Sequence, residues 1–228
     1  MNDTAWWKEV EAVIESKSLL KHPFYRAWQA GELTLEHLRD YARQYYAHVA
    51  AFPRYVSGAH SGCDDLKTRQ VLLENLIEEE RGENHHPELW LRFAEGVGAS
   101  RESVKTADLR PETKACVETF LELTRGEDTA AALGALYAYE SQIPAVSETK
   151  IQGLEAFYGL KDARSQEFFR VHKDADVWHS QVEREAIEGL ARTPERRAAV
   201  VESVRRSCDA VWKLLDGVCE AQGICTTC

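Results

Sequence analysis

Apolar side chains recur three and four positions apart along most of the chain, the spacing of α-helices that each bury one face. Trp6, Val10, Val13 and Ile14 share one face of a first predicted helix over residues 6–20. His22-Pro23 breaks it, and a short helix over 24–29 stops near Gly31. Thr34 has the character of an N-cap for a helix reaching about residue 57. Asp64-Asp65 open the next helix, predicted over 66–93 with an interruption at Pro87 and an end punctuated by Gly96 and Gly98. A helix over 113–124 stops at Gly126, and Asp128 caps a long one running to about 157. Another covers 163–190. Thr193-Pro194-Glu195, an N-cap followed by proline at the first helical position, starts the last, to about residue 221. No segment alternates with strand period, and there are no repeats or linkers. The predicted class is an all-α bundle in a single domain over 1–223.

The polar residues that interrupt these apolar faces carry the chemistry. His172, Asp176 and His179 stand at offsets 0, 4 and 7, one stripe of a helix. The neighbouring Phe168, Phe169, Val171 and Ala175 keep helical spacing and turn that stripe inward. Buried imidazoles and a carboxylate need a partner, and a metal ion is the usual one. Asp174 is off the stripe and expected in solvent. A second candidate is the run Glu78-Glu79-Glu80-Arg81-Gly82-Glu83-Asn84-His85-His86-Pro87. Glu79 and His86 are seven apart, about 10.5 Å along a straight helix, a separation that a bend at Gly82 or Pro87 would shorten. Glu83 and His86 form the ExxH spacing of di-iron bundles, and periodicity does not choose between Glu79 and Glu83. Glu78 and Glu80 are expected to be exposed, and His85 is the weaker ligand of the two histidines. The third candidate is Glu140, a lone carboxylate in the otherwise uncharged run 135–144, which must be paired or shifted in pKa. Two carboxylates from two helices plus the triplet make the inventory of a dinuclear site, and mixed oxygen and imidazole donors suit iron or manganese better than structural zinc. Tyr25, Tyr41, Tyr45 and Tyr139 are expected to line the same interior. Lys150 lies ten residues after Glu140, nearly on one face if the helix is continuous.

Composition narrows the partners. The chain of 228 residues is 44% hydrophobic and 29% charged, ordinary for a globular domain, and its net charge of −10 argues against nucleic acid and anionic membranes. No run of eighteen apolar residues predicts a membrane span, and residues 1–7 lack the features of a signal peptide, so a cytoplasmic location is expected. Cys63, Cys116, Cys208 and Cys219 are expected as small buried thiols. Cys225 and Cys228 form a CxxC in a tail, 224–228, expected to be flexible; one pair cannot complete a four-thiolate zinc site, and its functional alternative is a dithiol that passes electrons or joins protomers.

The segments His22-Pro23-Phe24-Tyr25, Glu78 through His86, Leu136 through Pro144 and Val171 through His179 resemble those of the family of the Chlamydia protein associating with death domains. That family belongs to the haem-oxygenase-like dimetal oxidases and is related in fold to thiaminase II and pyrroloquinoline-quinone synthase. The resemblance covers about residues 5–221. It implies a seven-helix haem-oxygenase-like bundle without haem, with Glu79, His86, Glu140, His172, Asp176 and His179 as ligands to two irons or to manganese and iron. It further implies O2-dependent synthesis of 4-aminobenzoate, the folate precursor, fed by an external reductant or reductase. In that chemistry the carbon skeleton comes from an internal tyrosine, matching Tyr25, and the amine from a lysine, matching Lys150. Tyr41 and Tyr139 match neighbouring redox-active tyrosines. A homodimer is implied by analogy of fold. Three other readings stand beside this one. They are a dimetal oxidase of an external amine, amino acid or fatty acid, a metal-free enzyme like the fold relatives, and a non-enzymatic interaction protein. The six candidate ligands would be superfluous in a metal-free enzyme.

Overall fold

The computed structural model describes residues 5–224, apart from the side chain of Ala175. The Cys225/Cys228 pair therefore lies outside the described residues, as does the inward orientation expected of Ala175. Among the described residues the chain forms eleven α-helices and one 3-10 turn, Leu19–Lys21, with no strand. No described helix is long and apolar enough to cross a membrane.

Helices α1 (Ala5–Ser16) and α2 (Pro23–Ala30) flank the 3-10 turn. Buried His22 joins them: its Nδ1 accepts from Phe24 N at 3.1 Å and caps α2, while Nε2 reaches Asp216 at 3.1 Å. Helix α3 (Leu35–Ser61) begins at a capping box, in which Thr34 Oγ1 accepts from His37 N and His37 Nδ1 accepts from Thr34 N. It runs past the expected end near 57, and Pro53 does not stop it. Tyr41, Tyr45, His48, Phe52 and Tyr55, spaced alternately by four and three, put a buried aromatic ridge along its inner face.

Two long predicted helices are in fact pairs, and both corrections matter for the site. The region expected as one helix over 66–93 is α4 (Leu66–Glu80) followed by α5 (His86–Gly96). The break falls at 81–85, where Gly82 takes φ +82°, a left-handed conformation that glycine adopts without a Cβ penalty. Pro87 does not interrupt a helix; it occupies the first turn of a new one, where its missing N–H has no partner to lose, and His85 Nδ1 accepts from Glu88 N as the cap. Likewise the helix expected over 128–157 is α8 (Thr129–Glu140) and α9 (Ile143–Phe157), with Pro144 in the first turn of α9. Gln142 holds the junction: Nε2 donates to Ala138 O and Oε1 accepts from Leu19 N. Glu140 and Lys150 thus sit on different helices, and the shared helical face inferred for them does not exist.

The short α6 (Arg101–Lys105) was not expected, and α7 (Pro111–Thr124) starts two residues early. Helix α10 (Ala163–Leu190) packs against α5, α8 and α9 and touches α4; α11 (Pro194–Gln222) closes the far side on α7 and α8. At the crossing of α2 and α9 a Cβ added to Gly153 would lie 2.4 Å from Trp28 Nε1, so glycine sets how closely these helices approach. That crossing holds Lys150, one turn before Gly153, against α2. Gly153→Ala should therefore displace buried Trp28 and destabilise the fold by about 1–3 kcal/mol, a melting temperature lower by roughly 2–10 °C. Thermal unfolding of the variant checks this, and an unchanged midpoint would show that the helices yield freely there.

Candidate dimetal site

Helix ends deliver three of the candidate ligands, and the middle of α10 delivers the rest. Glu79 is next to last in α4, His86 is first in α5, and Glu140 is last in α8. His172, Asp176 and His179 project from α10, and all six side chains are buried. Their donor atoms sort into two triads, Glu79/His86/His172 and Glu140/Asp176/His179, with the atoms of each triad within 4.8 Å of one another. The break at 81–85 removes the axial separation that a straight helix would impose, and Glu79 Oε1 lies 2.9 Å from His86 Nδ1. Glu83 stays exposed with Glu78 and Glu80, so of the two alternatives it is Glu79 that the structure brings to His86. Asp174 is exposed and His85 is used as a cap.

The hydrogen bonds leave these donors incomplete. His172 Nδ1–H donates to Phe168 O at 2.7 Å, which sets the tautomer and leaves Nε2 bare. Asn75 Nδ2 donates to Glu140 Oε1 at 2.9 Å. Glu140 Oε2, Asp176 Oδ2, His86 Nδ1 and both ring nitrogens of His179 have no hydrogen-bond partner despite their burial. Glu79 approaches His86, and Glu78 Oε2 approaches His179 Nε2 at 3.2 Å, close in distance but without hydrogen-bond geometry. Each orphaned buried group costs about 1–3 kcal/mol, so such a cluster is stable only with something bound between its members. Protonation marks the same demand. Burial drives Asp176 up to about 7. Burial opposes the charge on His179, but Asp176 and Glu140 outweigh it and hold the imidazole up at about 9. His86 is raised in the same way by Glu79 against burial, whereas burial and then His86 push His172 well down. Cations taking the place of these protons would satisfy carboxylates and imidazoles together, and the donor set is that of iron or manganese.

Beyond the triads runs a line of phenols. Tyr139 borders the same cavity as Glu79, His86, Glu140, His172 and Asp176. Tyr45 Oη donates to Tyr139 Oη at 3.1 Å, and the Tyr41 and Tyr45 rings are 5.0 Å apart. Lys150 Nζ donates to Tyr41 Oη at 2.6 Å, and the Tyr25 hydroxyl lies 3.4 Å from that of Tyr41. The amine sits 5.0–5.5 Å from the ring centres of Tyr25, Tyr41, Tyr45, Trp90 and Phe169. Burial alone pushes Lys150 well below the usual lysine value, and burial raises all four phenols. Burial thus favours an uncharged amine facing protonated phenols. Lys150 is itself buried, 3% exposed. Sequence reasoning missed Asn75 and Glu183. Glu183 extends the stripe 172/176/179 by one more turn, which was the available signal.

An all-α bundle carrying two buried carboxylate–imidazole triads is the arrangement of a dinuclear metalloprotein. Residues 39–212 match the family described as "Iron-containing redox enzyme". A 4-aminobenzoate synthase of Nitrosomonas europaea is 47% identical, over 93% of this chain and 90% of its own. That of Chlamydia muridarum is 40% identical, over 95% and 91%. A TenA homolog from Pseudomonas syringae superposes with TM-score 0.84 over 96% of both chains at 18% identity, a likeness of fold. The chain belongs to this family of iron-containing redox enzymes, in the branch of the 4-aminobenzoate synthases. The expected haem-oxygenase-like fold and the family resemblance are both borne out.

Two outcomes follow from the site. His172→Ala should sharply reduce the iron retained after anaerobic loading, read by elemental analysis; undiminished iron would remove His172 from the ligand set. Lys150 has its own pH signature. Burial lowers this lysine's pKa only in the fold, so in the pH range below about 9.5 where the folded chain has lost the proton and the unfolded chain keeps it, stability rises with pH, by up to about 1.4 kcal/mol per unit. Lys150→Met lacks that slope, so its stability relative to wild type should fall as pH rises. Parallel denaturation curves across that range would mean that Lys150 stays charged in the fold.

Proposed function

We propose that this chain makes 4-aminobenzoate from its own Tyr25, with Lys150 as the source of nitrogen. Glu79, His86 and His172 would hold one metal ion, and Glu140, Asp176 and His179 the other, as an iron pair or iron with manganese. When bound, the ions supply the reduction of dioxygen, with electrons from an external reductant, and hence the oxidising power.

The observation that carries the internal-substrate reading is space. The cavity bordered by both triads and Tyr139 measures about 10 Å³ as swept by the centre of a water molecule. That leaves no room for an organic guest, whereas small-molecule substrates occupy pockets of about 300–1,000 Å³. The reacting side chains are instead built in. Tyr45 Oη donates to Tyr139 Oη, whose ring borders the cavity, and Tyr41 Oη stands between Lys150 Nζ and Tyr25 Oη. Three bonds would break, Cα–Cβ and the ring C–O of Tyr25 and Cε–Nζ of Lys150: Cβ ends as the carboxylate carbon with oxygen from dioxygen, the phenolic oxygen leaves as water, the Lys150 nitrogen takes its place, and dioxygen serves as the electron acceptor. An amine without a proton has the lone pair this exchange needs, and burial keeps it so. Prior placement replaces a substrate encounter, and the aromatic walls keep water from intermediates. The cost is about one product per chain.

Protein loaded with iron, with or without manganese, then given reductant and dioxygen but no organic substrate, should release 4-aminobenzoate, at most about one per chain. Protein grown on ring-labelled tyrosine should release labelled product. Unlabelled product, or release only after a small molecule is added, would transfer the chemistry to an external substrate. Lys150→Arg should abolish release at unchanged metal content.

A further inference from the structure

Helix α10 carries a fourth acidic or imidazole side chain on the stripe of His172, Asp176 and His179. Glu183 falls at offset 11 from His172, and the four positions fan over only about 60° of the helix. It is as buried as the ligands, 2% exposed, and neither carboxylate oxygen has a hydrogen-bond partner. Its carboxyl neighbours that of Glu140, whose Oε2 is also unpartnered. Among the described residues no lysine or arginine answers it. The adjacent Arg184 turns away to the Trp7 ring and to Glu11 and Glu188. Side chains on a helix lean toward its N-terminus, so the Glu183 carboxyl reaches back toward the turn that holds Asp176 and His179. A glutamate buried with no donor and beside a second carboxylate is among the most costly arrangements a core can contain. A protein that needed only to fill this space would place an apolar residue there.

We propose that Glu183 is a further oxygen donor to the ion held by Glu140, Asp176 and His179. The proposal rests on the two-ion reading. It makes the two ion positions unlike: one carboxylate and two imidazoles at the first, three carboxylates and one imidazole at the second. The second position is then the more oxygen-rich, and it favours the harder ion.

The test is anaerobic titration of the full chain with Mn(II), followed by the electron paramagnetic resonance of free and bound ion. Wild type should bind two ions. Glu183→Gln keeps the shape and can still donate a hydrogen bond to Glu140, so a role in packing or in holding Glu140 survives it, and only the anionic donor is lost. The variant should keep one site at wild-type affinity and weaken the other by at least about tenfold. Its ion-free form should melt higher than wild type, since an unanswered carboxylate is gone, and gain less on addition of Mn(II). Two sites of unchanged affinity in Glu183→Gln would overturn the proposal. Should that variant fail to fold, Glu183→Asp, which withdraws the carboxylate by one methylene, is expected to weaken the same site; unchanged binding there overturns the proposal equally. Fewer than two ions in wild type would instead defeat the two-ion reading itself, before any variant is made.

Discussion

The structure turns on one electrostatic problem: acidic and imidazole side chains are collected in a core that offers them almost no hydrogen-bond partners. Glu79, Glu140, Asp176 and Glu183 are buried together with three imidazoles, while Asn75 and the Phe168 carbonyl are among the few neutral groups that answer them. Packing alone cannot stabilise that arrangement, since each orphaned group subtracts from a net stability of only about 5–15 kcal/mol. Cations resolve it, because one ion satisfies several lone pairs at once. The rest of the architecture serves that convergence. Both breaks that split long helices fall beside ligands, so that Glu79, His86 and Glu140 are presented from helix ends while α10 stays continuous behind them.

The second property of the core is dryness. Among the described residues no carboxylate pairs with Lys150, and five aromatic rings surround its amine, so burial favours a lone pair where lysine ordinarily holds a proton. The same burial keeps the neighbouring phenols protonated, their hydroxyls paired as Tyr25 with Tyr41 and Tyr45 with Tyr139 and the two pairs linked by the Tyr41–Tyr45 ring contact. A series of phenols thereby joins the triads to the amine without crossing water. In the proposed reaction the reactants are folded into place, and the cavity between the triads is too small for an organic substrate.

Much of this was legible in the chain, for identifiable reasons. The 0/4/7 triplet could be read because α10 is uninterrupted, so spacing translated directly into a face. Glu79 could not be separated from Glu83 by periodicity, because the reading assumed a helix through 81–85 where Gly82 in fact turns the backbone left-handed. The same assumption produced a false face shared by Glu140 and Lys150 across the Ser141-Gln142 junction. Pro87 had been read as an interruption within a helix and Pro144 had been passed over, whereas each occupies the first turn of the next helix. Lys150 had no local signal of burial at all: what buries it is the approach of α2, α3, α5 and α10, which only tertiary packing sets. Glu183 did have a signal, one more turn of the stripe already recognised.

The central claim is that these two triads each hold a transition ion. Anomalous diffraction at the iron edge, from crystals grown with ferrous iron without oxygen, tests it most directly. The account predicts two peaks per chain, one within bonding distance of Glu79, His86 and His172 and the other of Glu140, Asp176 and His179. A single peak, or iron lying elsewhere with these donors still unpartnered, would contradict it.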